Sequence, residues 1–170
     1  MLLKSVFMGF LSFSILHADT LKECKTEADK ISGCVVKEYD ENGQLQSETP
    51  FKNDKQEGIE KAYYINGNLM AETPYKDNKI NGIAKWYYEN GNLVIEVSYK
   101  NDELHGDLKY YTEDKKLLAT INAQNDKFIS GKCFNNKVLT DKELKEFRRI
   151  GNIDEKIIYL QEICLKSDSK

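Results

Sequence analysis

Histidine is nearly absent from this chain: His17 and His105 are its only two in 170 residues. The side chain most used for general acid–base work and for zinc ligation is therefore scarce. His105 precedes a glycine that recurs along the chain, and the equivalent places hold Glu57, Asn81 and Ser130. That variety marks a turn residue rather than a general base. No serine has a histidine to partner it, and no C-x-x-C spacing occurs, which removes the common nucleophile and zinc arrangements. Basic clusters are missing too: 25 Lys and Arg stand against 28 Asp and Glu, for a formal net charge of −3. Nucleic acid is thus not the expected partner, because phosphate binding needs grouped cations. No glycine-rich phosphate loop occurs, since each Asn-Gly lies between strand-like runs rather than before a helix. The chain is accordingly read as non-enzymatic, with no cofactor and no metal. Two prolines against ten glycines and ten tyrosines suit strands joined by tight turns.

Only one long apolar run exists, Val6 to Leu16, and it is too short for a comfortable membrane span. Lys4 precedes it and Leu16-His17-Ala18 ends it with a small residue. Residues 1–18 thus read as a secretory signal peptide, placing the chain in the periplasm or outside the cell. Export sets the reading of the four cysteines, Cys24, Cys34, Cys133 and Cys164, which all follow the leader. In an oxidising compartment they form two disulfides. Of three connectivities, Cys24–Cys34 with Cys133–Cys164 is favoured, because each pair ties one end of the chain to one end of the central region.

That central region, residues 34–131, repeats with a period of 24 residues, from Gly58 to Gly82 to Gly106. The first copy begins at Cys34. The fourth is degenerate: Lys115 stands for the turn glycine, Thr120 for a recurring glutamate, and one residue is inserted. Drift of this kind is expected in a terminal repeat. Each unit reads as a β-hairpin with Asn-Gly in a type I′ turn. Placing Asn66-Gly67 at the turn sets Tyr64 opposite Leu69, Tyr63 opposite Met70, Ala62 opposite Ala71 and Lys61 opposite Glu72. In the next copy Tyr88 meets Leu93, Trp86 meets Ile95, Ala84 meets Val97 and Lys85 meets Glu96. Lys37 meets Glu48 in the first. Recurrence of one opposite-charge pair supports the register. Asn53-Asp54, Asp77-Asn78, Asn101-Asp102 and Asn125-Asp126 turn the chain into the next unit. The expected fold is mainly β: an antiparallel hairpin meander of about eight strands, from four repeats. The junction glycines are expected to let an aromatic ring from the neighbouring strand lie on bare backbone.

The register separates two faces. Val36, Thr49, Ala62, Tyr64, Leu69, Ala71, Ala84, Trp86, Tyr88, Leu93, Ile95, Val97, Leu108, Tyr110, Leu117 and Ile121 share the apolar one. The other carries a tyrosine row (Tyr39, Tyr63, Tyr87, Tyr111), a lysine row that includes Lys61 and Lys85, and a glutamate row that includes Glu72 and Glu96. The Lys–Glu pairs repeat with the units, as a solvated cross-strand ladder does and a single active site does not. The tyrosines either pack on one another and stiffen the sheet, or form a rigid aromatic platform for a partner. These tyrosines, lysines and glutamates make up the candidate binding face.

Helices are predicted at both ends. Thr20 and Glu23 have capping-box spacing, with Leu21, Cys24, Ala28 and Ile31 at helical intervals, so residues 19–33 read as an N-terminal helical cap whose helix covers 21–31 and stops at Gly33. Residues 132–170 read as a C-terminal helical pair. Thr140 and Glu143 form a second capping box, Leu144, Phe147 and Ile150 give the first face, and Gly151 stops that helix. Asp154 opens the second, with Ile157, Leu160, Ile163 and Cys164 on one side. The pair either closes the open sheet edge or packs on the apolar face.

The repeat resembles the MORN repeat, in particular its bacterial variant with Tyr-Tyr-x-Asn-Gly-x-Leu-x-x-Glu-x-x-Tyr-Lys. The pattern is seen in Tyr63-Tyr64-Ile65-Asn66-Gly67-Asn68-Leu69, Glu72 and Tyr75-Lys76, and again in Tyr87-Tyr88-Glu89-Asn90-Gly91-Asn92-Leu93, Glu96 and Tyr99-Lys100. The unit is also similar to proteins grouped as YwqK-family antitoxins. The resemblance implies a non-enzymatic sheet that binds another protein or, in some relatives, a membrane surface. The expected function is an exported interaction module that binds an unidentified protein of the cell envelope. A toxin-neutralising or immunity-type protein is the second reading. A scaffold for glycan or a membrane surface is the third, with lipid ranked last for want of basic charge.

Overall fold

The computed structural model describes residues 21–165; the expected leader lies outside them. Eleven strands form one antiparallel sheet. They are β1 (Cys34–Tyr39), β2 (Leu45–Lys52), β3 (Lys55–Gln56), β4 (Gly58–Tyr63), β5 (Leu69–Lys76), β6 (Lys79–Ile80), β7 (Gly82–Tyr87), β8 (Leu93–Lys100), β9 (Glu103–Tyr111), β10 (Leu117–Gln124) and β11 (Lys127–Cys133). The order is β1-β2-β4-β5-β7-β8-β9-β10-β11, with β3 pairing β2 and β6 pairing β5. The stubs β3 and β6 lead into β4 and β7 across a kink at Gly58 and Gly82, whose φ values are 117° and 130°. The fourth unit runs through the same place as one strand, β9. The meander thus has more strands than the eight expected, because the short returns pair separately and β11 adds a further strand.

The predicted pairs Ala62–Ala71, Lys61–Glu72, Ala84–Val97, Lys85–Glu96, Trp86–Ile95 and Lys37–Glu48 all form. Nearer the turn the register departs from expectation. Tyr63 pairs with Leu69 and Tyr87 with Leu93, because Met70 and Val94 are bulged out of the ladder. The turn is not type I′. Gly67 alone takes the left-handed conformation there, at φ 81°. Its N–H donates to the Tyr64 carbonyl at 2.8 Å, and the Tyr64 N–H donates to the Asn68 carbonyl at 2.8 Å. This is a three-residue loop ending in a left-handed glycine, which shifts pairing by one residue on one strand. Lys115 takes the same conformation in the fourth unit, at φ 65°. Type I′ geometry appears instead at the junctions: Asn53 and Asp54 have φ of 52° and 59°, and Asn101 and Asp102 have 52° and 74°.

A one-residue shift exchanges faces. Leu69, Leu93 and Leu117, expected on the apolar face, pair with Tyr63, Tyr87 and Tyr111 and share their side. Leu117 is accordingly 40% exposed, while the bulged Leu118 is 1% exposed. Gly82 and Gly106 do not lie beneath aromatic rings. A Cβ on Gly82 would meet the Pro74 ring at 3.0 Å, and one on Gly106 would meet the Ser98 Cβ at 3.1 Å.

The N-terminal cap also differs. Residues 22–24 are extended, not helical: the Cys24 N–H donates to the Val35 carbonyl, the Val35 N–H donates to the Lys22 carbonyl, and Glu23 forms a parallel bridge with Val35. The unpaired edge of β1 outweighs the helical spacing of this segment. The helix α1 spans only Glu27–Ser32. Its capping partners are Thr26 and Asp29, where the Thr26 N–H and hydroxyl donate to the Asp29 carboxylate at 2.8 and 2.9 Å. The ion pair with Lys22 and these bonds hold Asp29 far below the usual carboxylate range.

At the other end, α2 (Asp141–Arg149) and α3 (Ile153–Leu165) form the predicted pair. Thr140 and Glu143 close the expected capping box, with the Thr140 N–H donating to Glu143 at 2.7 Å. Gly151 does not stop α2; Ile150 does, in extended backbone at φ −73° and ψ 121°. Asn152 caps α3 by accepting the Glu155 N–H at 2.7 Å. The helices pack on the apolar face, where Leu144, Phe147, Ile157 and Leu160 meet Ile95, Val97, Leu108, Tyr110 and Ile121 in one core. Phe147 is wholly buried, with the Tyr110 ring edge-on at 5.5 Å. Among the described residues no helix is long and apolar enough to cross a membrane.

Candidate interaction face

Each unit puts its lysine, tyrosine and glutamate in the same place because the 24-residue period equals one hairpin plus its return. Cross-strand pairing then assembles one row across the sheet: Lys37, Glu48, Lys61, Glu72, Lys85, Glu96, Lys109. Each glutamate has a lysine on both neighbouring strands. Thr120 and Lys132 extend the row without a further acid. The Lys37 ammonium lies 2.8 Å from Glu48, and the Lys109 ammonium lies 3.5 Å from Glu96.

The tyrosine row is tied to the glutamate row. Tyr63 donates its hydroxyl to Glu48 at 2.7 Å, Tyr87 to Glu72 at 2.7 Å and Tyr111 to Glu96 at 3.1 Å. Each bond runs from one unit to the preceding one. The face is therefore stiffened by hydroxyl–carboxylate bonds between units. Tyr39, in the first unit, has no preceding glutamate and is 52% exposed.

The electrostatics follow from this wiring. Glu48 is only 6% exposed. Burial opposes its charge, but the Lys37 and Tyr63 hydrogen bonds outweigh that cost and hold the carboxyl below its ordinary value. Lys37 is raised, chiefly by its bond to Glu48. Burial, then the bond to Glu72, pushes the Tyr87 phenol far up. Burial and Glu96 raise Tyr111 in the same way. None of these shifts prepares a nucleophile or a base near neutral pH.

Two flanking features were not singled out from the sequence. On one side of the ionic row the shifted leucines join the tyrosines. On the other, the pairs Val35–Pro50 and Ile59–Pro74 form an apolar row that Ile83 continues, with the polar Ser98 as its partner. The extended segment 22–24 runs along Val35, which is wholly buried, as is Pro50. Ile83 is 52% exposed. The signal was present in the sequence: Pro50 and Pro74 each stand two residues beyond a glutamate of the ladder, on the same face of the strand.

The two predicted disulfides form, Cys24–Cys34 with Cα atoms 5.1 Å apart and Cys133–Cys164 with Cα atoms 5.4 Å apart. They lie at the two ends of the sheet, away from the ionic row. His105 lies within β9 just before Gly106, with the Ser98 strand opposite, and stands in none of the three rows. Among the described residues no group of three or more His, Cys, Asp or Glu side chains is placed to hold a metal ion.

A search of curated proteins finds no match to the chain. Residues 35–53, 56–77 and 80–101 match the family model described as the MORN repeat variant. The fourth unit, with its substituted turn glycine and glutamate, lies outside the matched segments. These matches support reading the chain as a MORN-repeat protein whose three regular units are the hairpins β1–β2, β4–β5 and β7–β8.

Proposed function

We propose that the chain is an exported, non-enzymatic interaction module that binds a protein of the cell envelope through its tyrosine-bearing face. One observation carries the reading: α2 and α3 take the apolar face, while among the described residues the ionic row and its tyrosine–leucine and isoleucine–proline flanks are left open on the second and third units, segment 22–24 lying along the flank of the first. A surface of alternating charge between apolar rows suits a protein partner, because it offers desolvated contact area beside orienting ion pairs. Rigid tyrosines add contact at low entropy cost. The two disulfides support an oxidising location.

The test is capture of a partner from crosslinked periplasm by the disulfide-bonded chain. Replacing Tyr63 and Tyr87 with Ala should abolish capture. Replacing both with Phe, which keeps the rings and removes the bonds to Glu48 and Glu72, should retain most of it. Capture that survives the alanine pair would show that the face is scaffold only.

A further inference from the structure

On the opposite side of the sheet, the helices leave a cavity of about 210 Å³ between the α2–α3 junction and the strands. Trp86, Val97, Leu108, Phe128 and Ile153 line it with apolar surface, and Lys156 is the one charged side chain in its wall. The Lys156 ammonium lies 5.1 Å from the centre of the Phe147 ring and 5.8 Å from that of Phe128. Among the described residues no carboxylate pairs with it, in contrast to Lys37, Lys109 and Lys137, each of which has a glutamate. Burial lowers its affinity for the proton. Aromatic faces offset part of the cost of a half-buried ammonium, but an anion offsets more.

The chemistry of an occupant follows from this wall. It must be apolar over most of its surface and carry one negative charge at one end. A peptide would bring amide groups that the wall has few partners for, and each unpaired amide is costly. An acyl chain brings none. Taking each methylene as about the share of one liquid water, ~30 Å³, a cavity of this size holds roughly seven such groups. We infer that the cavity binds a medium-chain carboxylate, with the chain against Trp86, Val97 and Leu108 and the carboxylate on the Lys156 ammonium. This site stands apart from the tyrosine face and does not depend on it.

Trp86 is the only tryptophan in the chain and lies in the cavity wall, so its fluorescence reports occupancy directly. Titration of the disulfide-bonded chain with sodium octanoate, below its micelle concentration, should give a saturable change. Octanol, equal in length and uncharged, should bind at least about tenfold more weakly, the size of one charged hydrogen bond. Lys156→Met should lose that preference and Lys156→Arg should keep it. The inference fails if octanoate gives no saturable change, if octanol binds equally well, or if Lys156→Met binds octanoate as the native chain does. A phenylalanine-terminated dipeptide that binds tighter than octanoate would overturn the acyl assignment. The octanoate–octanol comparison on the native chain needs no variant and decides the matter even if a substitution impairs folding.

Discussion

At the scale of single residues, Glu48 shows how the ionic face is held. Among the described residues it is the one buried charged residue, and it receives bonds from Lys37 on one strand and Tyr63 on another. Its carboxyl is more acidic in the fold than in the open chain. The stabilisation is therefore complete above the 4.5 of an ordinary glutamate and is lost as the pH falls through the lower, folded value. Glu48→Gln should flatten this acid limb, so that melting temperature measured from pH 7 to pH 3 falls less steeply than in the native chain. An unchanged slope would show that the pair with Lys37 contributes nothing net. At neutral pH the same variant should be less stable by about 1–3 kcal/mol, since the Lys37 and Tyr63 donors then face a neutral amide. Tyrosines run the opposite way. Tyr87 is held neutral in the fold, so its contribution is present below pH 10 and declines as the pH rises past it.

At the scale of the element, the hairpins are stitched to one another at both ends. Asp102 donates its N–H to the Ile80 carbonyl at 2.9 Å and accepts the Ile80 N–H on its carboxylate at 2.7 Å. Asn78 and Asp126 make the same contacts with Gln56 and Leu104. At the other ends, Asn68 and Asn92 donate to the Glu89 and Glu113 carbonyls of the next turn. Asp102→Ala should cost about 1–2 kcal/mol, from one lost bond and a left-handed conformation that alanine resists. Asp102→Asn should cost less than about 0.5 kcal/mol. Urea midpoints check both, and an equal loss in the two variants would discount the inter-unit contact. The repeating pairs were legible because Lys61–Glu72 and Lys85–Glu96 recur with the period. Both disulfides, the Thr140 cap and the helical pair were legible for equally local reasons. The bulges at Met70, Val94 and Leu118 were not. Asn-Gly accommodates more than one turn, and the choice depends on stitching to neighbouring units that no single hairpin reveals. The extended segment 22–24 was missed for a related reason: its competitor to the helix is a distant strand edge. Of the candidate face, the Lys–Glu pairing and the alignment of the tyrosines followed from the period, whereas the isoleucine–proline flank required the faces to be counted from the glutamates.

At the scale of the whole molecule, the sheet is unevenly supported. Its last strands lie under two helices around Tyr110, Phe147 and Leu160, whereas β4 and β5 present the small Ala62 and Ala71 and the polar Glu60 and Thr73 on that side. In a repeat array each unit is stabilised by its neighbours, so loss at one end need not spread to the other. Cys133–Cys164 ties α3 to β11 across 31 residues, a closure that contributes about 3–4 kcal/mol. Replacing both cysteines with Ser should loosen α2 and α3 and uncover the apolar strands beneath. Amide exchange should then quicken in β8, β9 and β10, while β4 and β5 keep their native protection. Dye binding to exposed apolar surface should rise in the same variant. Cys24→Ser with Cys34→Ser should do the reverse, quickening exchange in β1 and β2 alone. Uniform loss of protection in either variant would mean that the sheet and its helices open as one cooperative unit, and that the stitched hairpins do not set the size of the unfolding step.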